Sequence, residues 1–115
     1  MSSNSDEFWF AQSVQDIEST VYHFALRLYI APRFFVQAFL GKQTGSLYFA
    51  LVKDDQRIFG IDREGESWHV HPYGATDQHG PLHQSLEPRP LLRFLARVEQ
   101  LIIEHNLLID DLTVI

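Results

Sequence analysis

The hydrophobic and polar positions of this chain follow two different periods. Between about residues 20 and 73, apolar side chains occupy alternate positions or fill short runs that end at turn residues, which is typical of β-strands. On either side of this region, apolar residues recur every three or four positions, which favours amphipathic helices. The pattern therefore predicts a β-sheet with one helix before it and one helix after it.

Five strands are predicted in the sheet region. They cover about residues 20–30, 34–40, 46–53, 57–62 and 67–73. The segments between them are short and rich in turn residues, and such connections predict an antiparallel meander. The third strand is apolar on both faces, so we expect other elements to pack on both sides of it.

The flanking helices are predicted from capping residues and apolar stripes. Asp6 can cap an N-terminal helix, and Pro88 and Pro90 suit the first turn of a C-terminal helix. The stripe of the first helix is Phe10, Val14, Ile17 and Val21, and that of the second is Leu91, Leu95, Val98, Ile102 and His105. The expected fold is α+β, with a meander of about five strands and both helices packed on it, in a single domain 1–115. The pattern does not place residues 107–115.

Composition narrows the function classes. The chain has no cysteine, no apolar run of membrane-spanning length and a polar, acidic N-terminus, so we expect a soluble cytoplasmic protein with no membrane partner. Nine Phe, four Tyr and two Trp favour a sheet-built core. The net charge of −6 argues against simple coating of nucleic acid, although it leaves room for an enzyme that acts on RNA through a local basic site.

Four of the six histidines lie in one tract, residues 69–83. They are His69, His71, His79 and His83. His69 and His71 are two residues apart on a predicted strand, so both rings should project from one face. Trp68 and Val70 should enter the core from the other face. Tyr73 should continue the histidine face, and Asp77 follows in the next loop.

Three interpretations of this histidine tract remain open. In the first, the rings are structural and bond backbone carbonyls on a solvent-facing strand. In the second, His69, His71, His79 and Asp77 form an acid–base site, because histidine both accepts and donates protons near neutral pH. In the third, His69, His71, His79 and His83, with Asp77 as a further oxygen ligand, bind a divalent metal ion such as zinc. A cofactor is expected only in this third case.

Three charged residues near the tract are further candidates. Arg57 and Arg63 bracket the fourth predicted strand and could hold a phosphate or carboxylate beside the histidine face. Asp62, at the end of the same strand, could orient a histidine. Side chains at strand ends are more often simply solvated or part of a turn, and both interpretations stay open.

The stretches Arg57-Ile58-Phe59-Gly60-Ile61-Asp62, Trp68-His69-Val70-His71-Pro72-Tyr73-Gly74 and Asp77-Gln78-His79 carry a family resemblance. Over about residues 20–103 the chain resembles small prokaryotic proteins of unknown function related to the TumE-like toxins of toxin–antitoxin systems. The resemblance implies a sheet-plus-helix protein with a histidine-rich tract before its C-terminal helix. His69, His71, Asp77 and His79 match that tract, whereas the family's doubled histidine and its preceding Asp-Asn have no counterpart here.

These observations lead to three functional hypotheses. The first is the toxin-like component of a toxin–antitoxin pair, acting on RNA with the histidines and Asp77 as catalytic groups and with Arg57, Arg63 and Tyr73 binding the substrate. It implies an antitoxin-like protein partner. The second is a non-enzymatic interaction protein that forms a homodimer. The third is a small metal-binding protein that uses the histidine tract.

Overall fold

A computed structural model describes residues 8–20 and 22–108, with only the backbone described for residues 16–18. The described part contains an antiparallel sheet of seven strands in sequence order. The strands are β1 (Ser13–Ser19), β2 (His23–Ala31), β3 (Phe34–Gly41), β4 (Leu47–Lys53), β5 (Gln56–Glu64), β6 (Ser67–His71) and β7 (Gly80–Pro81). One helix in these residues, α1 (Pro90–His105), follows the sheet.

The helix begins at Pro90, the second of the two prolines that the sequence places in its first turn, and Pro88 lies in the turn before it. Pro90 occupies the first turn, where its missing N–H is not needed by the helical ladder. Asn106 ends the helix in the left-handed conformation, with φ 52°, and its backbone N–H donates to the Ile102 carbonyl. The predicted C-terminal helix is therefore confirmed. Leu107 beyond it is buried, and residues 109–115 lie outside the described ranges.

The helix packs on one face of the sheet, which we call the inner face. Phe94 is fully buried, and its ring lies 5.3 Å from the Phe49 ring and 5.5 Å from the Phe59 ring, measured between centroids. Strand residues of the same cluster include Ile30, Phe34, Val36, Leu51, Ile61 and Trp68. Their alternate spacing along the strands explains why the period-two pattern was informative. Trp68 and Val70 face this core, as predicted.

The opposite face, the outer face, lies away from the helix. The strands present on it Arg27, Tyr29, Phe35, Gln37, Phe39, Tyr48, Ala50, Val52, Asp62, His69 and His71. Ala50 and Val52 are half-buried, although the helix found in the described residues lies on the inner face alone. Among the residues that the structure describes, the expectation that elements pack on both sides of the third predicted strand, now β4, is therefore met on one side only.

The predicted N-terminal helix is wrong. Residues Phe8 to Phe10 form a turn, in which the Ala11 N–H donates to the Phe8 carbonyl, and β1 then pairs with β2. Phe8 and Phe10 are buried, whereas Val14 is 57% exposed, so Phe10 and Val14 do not share one buried helical stripe. Pairing with the exposed edge of β2 satisfies this backbone, and that tertiary contact overrides the weak helical spacing. Asp6 and Val21 lie outside the described residues.

The sheet of the described residues also has more strands than the five that the sequence predicts. The five predicted strands are confirmed as β2 to β6, and the sheet gains β1 at one edge and the two-residue β7 at the other. β7 lies inside the segment that the sequence pattern assigned to a loop, because Gly80 and Pro81 carry no strand signal of their own. None of the helices within the described ranges is long and apolar enough to cross a membrane.

Candidate functional site

Asp62 on β5 and His69 on β6 are direct neighbours across the sheet. The turn between the two strands is tight and places Glu64 opposite Ser67, so two residues back along each strand Asp62 lies opposite His69. His71 follows two residues later on the same face. The hairpin therefore brings one carboxylate and two imidazoles together on the outer face.

The Asp62 carboxylate contacts both histidines. Its Oδ2 atom lies 2.9 Å from His71 Nε2, and its Oδ1 atom lies 3.5 Å from His69 Nδ1. The Asp62 side chain is only 17% exposed, so solvent screens these contacts less than it would on an open surface. Asp62 thus lies between the two rings, hydrogen-bonded to His71 and within ion-pair distance of His69.

Both ring nitrogens of His71 have partners. The Arg57 Nη2 atom lies 3.4 Å from His71 Nδ1, opposite the contact with Asp62. A guanidinium can only donate, so Nδ1 accepts and Nε2 carries the proton that is donated to Asp62. This assignment follows from the partners and describes the neutral ring. His71 is therefore held in place, whereas His69 contacts Asp62 through Nδ1 and keeps Nε2 for another partner.

His79 completes the cluster from the loop between β6 and β7. Its ring centroid lies 5.7 Å from that of His69, edge to face, and 5.6 Å from that of His71. The His79 residue is exposed, while both strand histidines are half-buried. Asp62, His69, His71 and His79 together form what we call the Asp62 cluster. Its exposed member lies on the solvent side, where a substrate would approach.

Arg57 and Gly60 complete the surroundings of His71. The Arg57 Nη2 atom also donates to the Thr76 carbonyl at 3.2 Å, so one guanidinium joins β5, His71 and the loop. A Cβ atom at Gly60 would lie 3.4 Å from Arg57 Cδ and 3.1 Å from the Phe49 carbonyl oxygen. The missing side chain at Gly60 is therefore what lets Arg57 lie across the strand and reach His71.

The other predicted site residues lie elsewhere. Asp77 is exposed and lines a shallow depression with Arg57, Tyr73 and Thr76, beside the Asp62 cluster rather than within it. Tyr73 does not continue the histidine face as predicted, because the chain turns after His71. Its ring stacks on His105 near the end of α1, with 4.2 Å between centroids. His83 is exposed in the segment after β7.

Arg63 belongs to the inner face. It lies opposite Trp68, with its guanidinium 5.4 Å from the Trp68 ring centroid, and it forms an ion pair with Glu87. Its Nη2 atom also donates to the Gly45 carbonyl at 2.6 Å. These contacts join the β3–β4 turn to the segment before α1. Arg63 is therefore separated from the histidines by the sheet itself.

The sequence could have yielded more of this site than it did. The sequence predicts Asp62 as a residue able to orient a histidine, and the tight Glu64–Ser67 hairpin also fixes its register. Counting outward from that turn places Asp62 opposite His69. The role of Gly60 could not be predicted in this way. A glycine inside a strand indicates that another group approaches the backbone closely, but the sequence does not show which group it is.

The arrangement suits proton transfer beside an anion better than metal binding. Within residues 8–20 and 22–108, no group of three or more His, Cys, Asp or Glu side chains is disposed to hold a metal ion. The Arg57 guanidinium beside His71 also places positive charge where a cation would have to bind. The metal site therefore stays a prediction from the sequence. Comparisons of the chain with protein-family models, with curated proteins and with solved structures give no match.

Proposed function

We propose that the Asp62 cluster is an acid–base site that cleaves RNA, and that the protein is the toxin-like component of a toxin–antitoxin pair. The observation that carries the proposal is the position of one carboxylate between His69 and His71, with the His79 ring against both. Two imidazoles that reach solvent beside a fixed one can divide the roles of base and acid. The family resemblance of residues 20–103 points to the same class.

In this proposal His69 is the general base. Asp62 holds the ring through Nδ1 and stabilises the imidazolium that forms, which leaves Nε2 to take the proton of a ribose 2′-hydroxyl. The 2′-oxygen then attacks the adjacent phosphorus, and the bond to the 5′-oxygen breaks. His79, exposed and adjacent, donates a proton to that leaving oxygen. The products are a 2′,3′-cyclic phosphate and a 5′-hydroxyl.

Arg57 supplies the positive charge for the phosphate. Its guanidinium lies at the surface beside His71, and its planar donors match phosphate oxygens. Charge develops on the non-bridging oxygens as the 2′-oxygen attacks, and a donor already in place stabilises that charge. The net charge of −6 is compatible with this role, because the interaction is local and short in range.

The test is cleavage of RNA by the untagged protein. Incubation with a mixed-sequence RNA should yield fragments that end in a 2′,3′-cyclic phosphate, and His69→Ala should abolish them. His83→Ala is the matched control, because His83 is an exposed histidine outside the Asp62 cluster. Equal cleavage by the parent and His69→Ala would show a contaminating nuclease and would count against the proposal.

The toxin role has its own readout in the cytoplasm. Induced expression of the parent in a bacterial host should stop growth, and the His69→Ala variant expressed to the same level should not. If the parent cleaves RNA in vitro but its expression does not slow growth, the proposed cleavage is supported and the toxin role is contradicted. A neighbouring antitoxin-like protein that restores growth would identify the expected partner.

A further inference from the structure

The outer face carries aromatic rings in a regular order that leads to the Asp62 cluster. Phe39, Tyr48, Asp62 and His69 pair in sequence across β3, β4, β5 and β6, so they form a single row at right angles to the strands. The Phe39 and Tyr48 ring centroids are 5.9 Å apart. A ligand that follows this row from β3 therefore reaches the proposed catalytic base.

A second aromatic row runs parallel to the first. Tyr29 lies opposite Phe35, and Phe35 opposite Val52, which in turn lies opposite Arg57. Between the two rows lie Gln37, Ala50, Gly60 and His71, again in register across the strands. The two central residues of this line, Ala50 and Gly60, have at most a methyl group as a side chain. Larger side chains of the two rows lie on both sides of this pair, so the face is lower along its middle, and this lower line ends at His71.

The rings are accessible and held in place. Tyr48 is 38% exposed, and its hydroxyl donates to the Glu64 carboxylate at 3.4 Å, which fixes the orientation of the ring. Phe39 is half-buried and stacks on His23 with 5.4 Å between centroids. A rigid ring with one open face stacks a planar ligand at little entropic cost.

Positive charge accompanies the rings. The Arg27 guanidinium lies 4.5 Å from the Phe35 ring centroid, and Arg57 lies at the other end of the same face. Arg27 lies at the β2 end of the lower middle line, opposite Gln37, and Arg57 lies beside its other end. The phosphates of a strand whose bases stack on the rings would run along this line. Stacking platforms with nearby arginines are the arrangement by which open sheets bind unpaired nucleic acid.

We propose that the outer face binds single-stranded RNA, with bases stacked on Phe39 and Tyr48 and the strand directed across β4 and β5 to the Asp62 cluster. This inference rests on the proposed RNA cleavage and adds that the substrate must be unpaired. From β3 to β6 the face spans three strand spacings, roughly 14 Å, which suits about two to three stacked bases. A duplex keeps its bases stacked inside and cannot offer them to these rings.

Binding can be measured apart from cleavage with a strand that cannot react. A fluorescently labelled RNA oligonucleotide with 2′-O-methyl groups lacks the attacking hydroxyl, and fluorescence anisotropy reports its binding as a single strand or annealed to its complement. We expect the single strand to bind at least tenfold more tightly than the duplex. Tyr48→Leu should weaken single-strand binding about tenfold, the loss expected for one stacked base. Tyr48→Phe should retain it.

The control is Trp9→Leu, because Trp9 is an exposed aromatic residue away from the outer face and should not affect binding. If Tyr48→Leu does not fold, Phe39→Leu in the same row provides the same comparison, because Phe39 is the other proposed stacking ring. Equal affinity for single strand and duplex, or for the parent and Tyr48→Leu, would overturn the inference.

A further experiment distinguishes RNA binding from dimer formation through the outer face. If sedimentation shows a dimer that Tyr48→Leu converts to a monomer while oligonucleotide binding is unchanged, the face is a dimer interface and the inference fails. If the parent binds the strand through Tyr48 but does not cleave unmodified RNA, the proposed cleavage fails while the binding face stands.

Discussion

The Asp62 carboxylate lies 2.9 Å from the Nε2 atom of His71, and the same carboxylate also reaches His69. One acidic group therefore sets the positions of two imidazoles that belong to a different strand. This dependence makes Asp62 a positioning residue, and its removal should act through the histidines rather than on the substrate directly.

The first prediction concerns the Asp62→Asn substitution. The amide keeps the shape of the side chain but loses the charge that stabilises the His69 imidazolium, so RNA cleavage should fall about 10²-fold. The double variant Asp62→Asn/His69→Ala should be no slower than His69→Ala alone, because the two residues act as a unit. Asp55→Asn, at an exposed turn, is the control and should retain the parent rate. Additive losses in kcat would contradict the positioning role.

The second prediction concerns the pH profile of cleavage. A base that must be neutral and an acid that must be protonated give a bell-shaped dependence of kcat/KM on pH. His79→Ala should remove the limb at high pH, because that limb reports loss of the donated proton, and should lower the maximum rate. A profile of unchanged shape in His79→Ala would mean that another group protonates the leaving oxygen.

The third prediction distinguishes Arg57 from Arg63, for which the sequence predicts the same role in binding the substrate. Arg57→Met should lower cleavage about 10²-fold or more by removing the phosphate donor. It should lower the free energy of unfolding by less than about 1 kcal/mol, because its contacts to His71 and Thr76 are exposed to solvent. Arg63→Met should do the reverse, since it loses the contacts to Glu87 and Gly45 and lowers that free energy by about 1–3 kcal/mol. Urea unfolding and cleavage assays on both variants measure the contrast.

The fourth prediction concerns Gly60→Ala. The new Cβ would lie 3.1 Å from a backbone oxygen and 3.4 Å from Arg57 Cδ, so the strand or Arg57 must shift. We expect a loss of about 1–3 kcal/mol in stability, together with slower cleavage as Arg57 moves from His71. Gly80→Ala meets no atom within 4 Å and serves as the matched control. A fully active Gly60→Ala protein would show that Arg57 is not held there for function.

The fifth prediction concerns the contact between α1 and the sheet. Phe94 is fully buried between Phe49 and Phe59, and truncation to alanine should lower the free energy of unfolding by about 3–5 kcal/mol. Ile103 lies on the same helix but is 62% exposed, so Ile103→Ala should change it by less than about 0.5 kcal/mol. Urea denaturation of both variants measures the two free energies of unfolding. Similar losses in the two variants would contradict the packing of Phe94 against the sheet.

The central sheet could be predicted because each of its strands carries its own signal. Alternating apolar residues and glycine or aspartate turns specify β2 to β6, and Pro90 specifies the start of α1. β1 could not be recognised in this way. Its few apolar residues suit a helix or a strand equally, and only the free edge of β2 decides between them.

The candidate site was predictable in part for the same reason. The spacing of His69 and His71 on one strand fixes their shared face, and the hairpin turn fixes Asp62 beside them. Loop residues follow no period, so strand alternation does not separate His79, which joins the cluster, from His83, which lies outside it; only the family resemblance singles out His79. The position of Arg63 on the inner face follows from strand alternation, once the strand is known to continue through Glu64.

The two edges of the sheet differ in their capacity to recruit further strands. β7 is two residues long and ends in Pro81, which lacks an N–H, so this border offers little template for another chain. β1 at the other border is a seven-residue strand and therefore offers a much longer backbone edge. Growth of the sheet by strand exchange would therefore proceed from the β1 edge rather than from the β7 edge.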